Sequence, residues 1–77
     1  MFNHKEKYPI GIDISDLSLK LVQVKKRGRK IKINAIGRED LPEGLIKNGK
    51  IIEKEKVVKK IKDLFNDPVY GKVSNRR

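Results

Sequence analysis

Residues 10–24 read I-G-I-D-I-S-D-L-S-L-K-L-V-Q-V, and this run leaves little choice of local structure. Ile10, Ile12 and Ile14 alternate with Gly11 and Asp13, the period of a β-strand rather than a helix. Tyr8 extends the same face, and Pro9 is tolerated only near a strand start. Ser15 and Asp16 then break the pattern with side chains that bond neighbouring backbone groups and favour a turn. Leu17, Leu19 and Leu21 resume the alternation on one face, with Ser18, Lys20, Val22 and Val24 on the other. Two strands joined by so short a break fold back on each other as an antiparallel hairpin. The expected strands are 8–14 and 17–26. Because both faces of the second are partly apolar, it is expected inside a sheet with something packed on each side.

Chemistry-bearing residues concentrate at that hairpin's turn. Asp13 ends the first strand, the turn at Ser15, Asp16 and Leu17 offers backbone N–H groups, and Ser18 and Lys20 return on the second strand. A carboxylate, free amides and a lysine brought together can hold a phosphate and its metal ion. Gly11 leaves room on the Asp13 face for a ligand or another backbone.

The rest of the chain supplies one more strand and one helix. The run K-K-R-G-R-K at 25–30 is a hairpin tip, with Gly28 able to take a positive φ and the cations flanking it held in water. It reads as a charged loop that keeps the hairpin soluble, with an anion-binding knob as the competing reading. Ile31, Ile33 and Ala35 alternate with Lys32 and Asn34 in a third strand, 29–38. Residues 39–49 carry Pro42, Gly44 and Gly49 and read as an irregular connection. Val57, Val58, Ile61, Leu64 and Phe65 then form an apolar stripe on a helix over 54–65, stopped by Asn66-Asp67-Pro68. Its outward Lys side chains would suit an anionic membrane only if that stripe were free, and the sheet needs it as a cover. The fold class is therefore α/β: an antiparallel three-stranded β-meander followed by one amphipathic helix. Residues 1–7 read as a flexible tail, 8–77 as one unit, and the stretch past Pro68 as lacking structure of its own.

Composition narrows the function classes. A chain of 77 residues without Cys has neither a disulfide framework nor a thiolate metal site, and the lone His4 reads as a solvated tail residue. The net charge of +10, from 20 Lys and Arg against 10 Asp and Glu, favours polyanionic partners in general. Fifteen of those cations are Lys and five are Arg, whereas base readout leans on Arg and single-strand binding on stacked aromatics. A small basic nucleic-acid-binding module is the alternative reading; nucleic acid is not the favoured partner. A two-metal nuclease built on Asp13 and Asp16 lacks the further carboxylates that chemistry uses. No apolar run approaches the ~20 residues of a membrane span, and the expected location is the cytoplasm.

The hairpin motif, the basic hairpin and strand after it, and the segment L-P-E-G-L-I-K-N-G-K-I-I-E before an amphipathic helix together resemble the N-terminus of the type IV pilus assembly protein PilM family. That family sits in the actin-like ATPase superfamily with the cell-division protein FtsA. The resemblance covers residues 10–65. It implies the first part of an RNase H-like subdomain, an ATP-binding scaffold of pilus assembly or type II secretion type, and a place in the cytoplasm peripheral to the inner membrane.

Carried over position by position, the resemblance makes Asp13 the acid that holds Mg, through water. It puts Ser15, Asp16 and Leu17 in the phosphate turn, makes Ser18 a hydroxyl contact, and makes Lys20 the lysine that approaches the phosphates. ATP and Mg are the implied cofactors of an intact protein, with none expected on these residues alone, and no catalytic residue is assigned. The implied partner is the N-terminal segment of a PilN-like inner-membrane protein. Where the family pattern has Gly and then Ser or Thr, this chain has Ser15 and Asp16. Asp16 adds a second negative charge near a polyphosphate unless a cation intervenes. Because a second phosphate loop and an adenosine pocket cannot fit in the residues after Phe65, the chain is expected to be a truncated piece with an uncovered sheet face and edge.

Overall fold

A computed structural model describes residues 6–74. In chain order its elements are β1 (Glu6–Lys7), β2 (Ile10–Ile14), β3 (Ser18–Arg27), β4 (Lys30–Asp40), β5 (Ile46–Lys47), β6 (Lys50–Ile51), α1 (Lys54–Asn66) and β7 (Tyr70–Gly71). The architecture is an antiparallel sheet with one helix packed on it.

The β3–β4 hairpin is the spine. β1 and β2 lie end to end along one side of β3, and β7 pairs with the far side of β4. Gly28, at φ +58, opens the two-residue turn that joins β3 to β4, a place glycine fills without steric cost. The ladder slips once: Gln23 pairs with Ala35 but Val24 pairs with Ile33, so Asn34 is a bulged extra residue. The molecule is correspondingly long, 53 × 20 × 16 Å.

The core lies on one sheet face. Leu19, Leu21 and Ala35 meet Val57 and Leu64 of α1, with Leu41, Leu45 and Ile46 closing the end and Ile61, Phe65 and Val73 at the margin. Each fully buried Leu contributes about 2–3 kcal/mol of transfer free energy. Close helix packing is possible because Gly37 has no side chain; a Cβ there would sit 2.9 Å from Leu64 Cδ1. The helix start is fixed by the Leu45 carbonyl, which accepts the Ile52 and Glu53 N–H groups at 2.9 and 3.2 Å.

Five expectations need correction. Within the supposed tail 1–7, Glu6 and Lys7 pair with Arg27 and Lys26; residues 1–5, including His4, lie outside the described residues. The irregular connection contains the β5–β6 hairpin, whose turn residues Asn48 and Gly49 both have positive φ, +53 and +76, as a type I′ turn requires.

The stretch after Pro68 is also structured: Tyr70 and Gly71 pair with Ile36 and Ala35. The cause is a buried polar hub. Gln23, 0% exposed, accepts the Asn34 Nδ2 and Ser74 N–H groups at 2.8 Å each and donates to the Tyr8 and Ser74 carbonyls at 3.2 and 3.0 Å. Asn34 also donates to the Lys72 carbonyl, so the Tyr8 link between β1 and β2, the bulge and the C-terminal segment are clasped together.

Finally, α1 covers one face of β3 and not both. Val22 is 43% and Ile36 40% exposed on the opposite face. Val58, expected in the helix stripe, is likewise exposed.

Candidate functional site

The β2–β3 turn is tightened by its two serines. The Ser15 N–H donates to the Ser18 carbonyl at 2.9 Å, the Ser15 hydroxyl lies 3.1 Å from the same oxygen, and the two hydroxyls share a hydrogen bond at 2.9 Å. Asp16 and Leu17 are left as a two-residue loop, and the Leu17 carbonyl accepts the Leu41 N–H. Directly behind that loop the register pairs Ile14 with Leu19 and Asp13 with Lys20.

Asp13 and Lys20 are therefore cross-strand partners on the open face of the sheet, away from α1. Lys20 pairs on its other side with Arg38, so an acid and two cations form one row across three strands. Arg38 in turn holds Asp40 at 3.2 Å. Asp13, Lys20 and Arg38 are all exposed and carry oxygen and nitrogen groups suited to a hydrated cation and an anion side by side.

Asp16 points elsewhere. Its Oδ2 accepts the Asn48 N–H at 2.9 Å and its Oδ1 accepts the Gly49 N–H at 3.0 Å. The carboxylate is thus neutralised in part by the two outward amides of the β5–β6 turn, and its charge does not stand free beside Asp13. Leu17 is 59% exposed and presents an apolar side chain at the loop apex.

The six residues singled out from the sequence accordingly divide. Asp13, Ser15, Ser18 and Lys20 gather at one turn, Leu17 contributes its backbone, and Asp16 serves the neighbouring hairpin. Arg38 joins the row without having been anticipated. Among the described residues no group of three or more His, Cys, Asp or Glu side chains stands ready for a metal, so Asp13 can offer only part of a coordination shell.

A family model described as type IV pilus assembly protein PilM matches residues 11–72, a stretch that runs from β2 through β7 and contains the whole Asp13–Lys20 turn. No curated protein and no solved structure matched the chain.

Proposed function

Because the chain belongs to the family of the type IV pilus assembly protein PilM, we propose that its β2–β3 hairpin is the first phosphate-contacting element of an actin-like, ATP-binding scaffold with an RNase H-like core. The observation that carries this reading is the register that sets Asp13 opposite Lys20. An exposed carboxylate and an exposed ammonium one strand apart suit the two halves of a metal-bound polyphosphate. The lysine neutralises phosphate oxygens, and the acid holds the hydrated cation.

The donor set fits Mg in that role. A hard oxygen ligand from Asp13 leaves the remaining positions to water and phosphate oxygens, the usual arrangement for Mg with a nucleotide. Ser15 and Ser18 offer hydroxyls at the turn, and Arg38 adds a second cation beyond Lys20. Asp16, engaged by the Asn48 and Gly49 amides, contributes less repulsion toward a polyphosphate than its formal charge suggests. In this proposal the described residues supply neither the adenosine pocket nor the second phosphate loop.

In the same proposal the scaffold works in the cytoplasm against the inner membrane and docks the N-terminal segment of a PilN-like partner. No helix among the described residues is long and apolar enough to cross a membrane.

Calorimetric titration of Mg–ATP into the protein carrying this hairpin tests the reading. Asp13→Ala and Lys20→Ala are each expected to weaken binding about tenfold or more, the scale of one lost charged contact. Unchanged affinity in both variants removes the hairpin from the site.

A further inference from the structure

The far end of the β3–β4 hairpin carries a feature that the nucleotide reading leaves unused. Beside the turn at Gly28 lies a hollow of about 690 Å³ lined by Lys25, Arg27, Arg29, Lys30 and Lys32, with Glu6 as the one carboxylate in its wall. Glu6 is paired with Lys25 at 2.8 Å, which leaves an excess of four positive charges around the hollow. The register makes the crowding sharper, since Lys25 stands opposite Lys32 and Arg27 opposite Lys30. Like charges directly opposed across a ladder destabilise it. An anionic surface met by the end of the hairpin lowers that repulsion.

The opposite face of the same hairpin end is mixed: Lys26 stands opposite Ile31, and Lys7 opposite Lys26, beside exposed isoleucines. β4 begins K-I-K-I, so Lys30 and Lys32 point one way while Ile31 and Ile33, 61% and 48% exposed, point the other. Val24, paired with Ile33, belongs to that second face. The end of the hairpin therefore carries cations on both faces and exposed isoleucines on one, and it lies about 30 Å along β3 from the Ser15–Ser18 turn, at ~3.3 Å per residue.

We infer that this hairpin end docks end-on against an anionic phospholipid bilayer, so that both faces meet the interface, its cations against headgroup phosphates and Ile31 and Ile33 in the interfacial layer. The match is one of paired chemistry. A basic patch or a small apolar surface alone gives weak, reversible membrane binding, and the two together are what hold a peripheral protein. Nucleic acid would engage the cations but leave both isoleucines in water, and among the described residues the wall of the hollow contains no aromatic ring on which a base would stack. The inference is independent of the nucleotide reading, since it uses none of the residues at the β2–β3 turn.

Co-sedimentation of the 77-residue chain with two vesicle preparations tests it: phosphatidylcholine alone, and phosphatidylcholine containing about a third phosphatidylglycerol. Binding is expected only to the second. Arg27→Gln/Lys30→Gln/Lys32→Gln is expected to weaken it about a hundredfold, the effect of three near-surface cations, and Ile31→Ser/Ile33→Ser about tenfold. All five positions are exposed, and circular dichroism checks that the variants keep the sheet. Lys54→Gln/Lys59→Gln/Lys62→Gln on α1 removes the same charge elsewhere and is expected to cost less than about threefold. Equal losses in the two charge variants would mean that net charge alone drives binding and would overturn the inference. So would equal binding to both vesicle types, no effect of the isoleucine changes, or tighter binding to duplex DNA than to the anionic vesicles.

Discussion

Asp16 accepts the backbone N–H of Asn48 at 2.9 Å, and through its second oxygen that of Gly49 at 3.0 Å. One side chain in the turn of the first hairpin thereby fixes the turn of another hairpin some thirty residues later. The two amides belong to residues with positive φ, a geometry that sends both N–H groups outward and makes them a ready receptor for a carboxylate.

Asp16→Ala is expected to destabilise the chain by about 1–2 kcal/mol, the lower part of the range for hydrogen bonds to a charged group because water reaches the freed amides. Hydrogen exchange at Asn48 and Gly49 should accelerate in the variant. If the two amides exchange at the same rate in both proteins, the clamp does not operate in solution.

Gln23→Leu tests the polar hub. The substitution keeps the volume roughly constant but removes the hydrogen bonds that Gln23 makes with the Ser74 amide, the Asn34 side chain and the Tyr8 and Ser74 carbonyls. Each group stranded away from water costs about 1–3 kcal/mol. A loss of about 3 kcal/mol in denaturant unfolding is expected, with the amides of residues 70–74 losing protection before the rest of the sheet. Uniform loss across the sheet would mean that Gln23 does not specifically hold the C-terminal segment.

Gly71→Ala should release β7 from the sheet. Gly71 has φ +70, and a Cβ there would clash with the Asn34 carbonyl oxygen, a backbone atom that a rotamer change cannot move aside. Cross-strand nuclear Overhauser contacts between Ala35 and residue 71 are expected to disappear, while those between Leu21 and Gly37 persist.

Lys25 supplies a pH signature. Its hydrogen bond to the Glu6 carboxylate, and then the charge of that carboxylate, raise its pKa above the ordinary lysine value. A folded-state pKa raised above the unfolded one stabilises fully below the unfolded value, and the contribution fades as pH rises through the folded value. The pair's contribution should thus be fully present and independent of pH near neutrality, and be lost in the alkaline range. In Glu6→Gln the Lys25 titration, followed by NMR at its side chain, should return toward the ordinary value.

The parts of the fold legible in the sequence are those set by neighbours in the chain. Alternation from Ile10 to Leu21 fixes the β2–β3 hairpin, and a short turn then makes Asp13 face Lys20 by counting. The same counting fails for Arg38. Measured from the Gly28 turn, a regular ladder would pair Lys20 with Gly37, and only the extra residue at Asn34 moves Arg38 into the row. The Asn48-Gly49 pair is a hairpin signal in its own right, obscured because its strands are two residues each. The C-terminal segment carried no local signal, since it is held by hydrogen bonds from Gln23 across fifty-one positions.

The position of β2 at the margin of the sheet has one more consequence. Its inner side is laddered to β3, its outer side meets no other strand among the described residues, and Ile10, Ile12 and Ile14 are all well exposed. Such a margin is a template for further strands. Mutual repulsion between bodies of net charge +10 opposes the stacking of identical copies into fibres, and concentrated electrolyte weakens that repulsion.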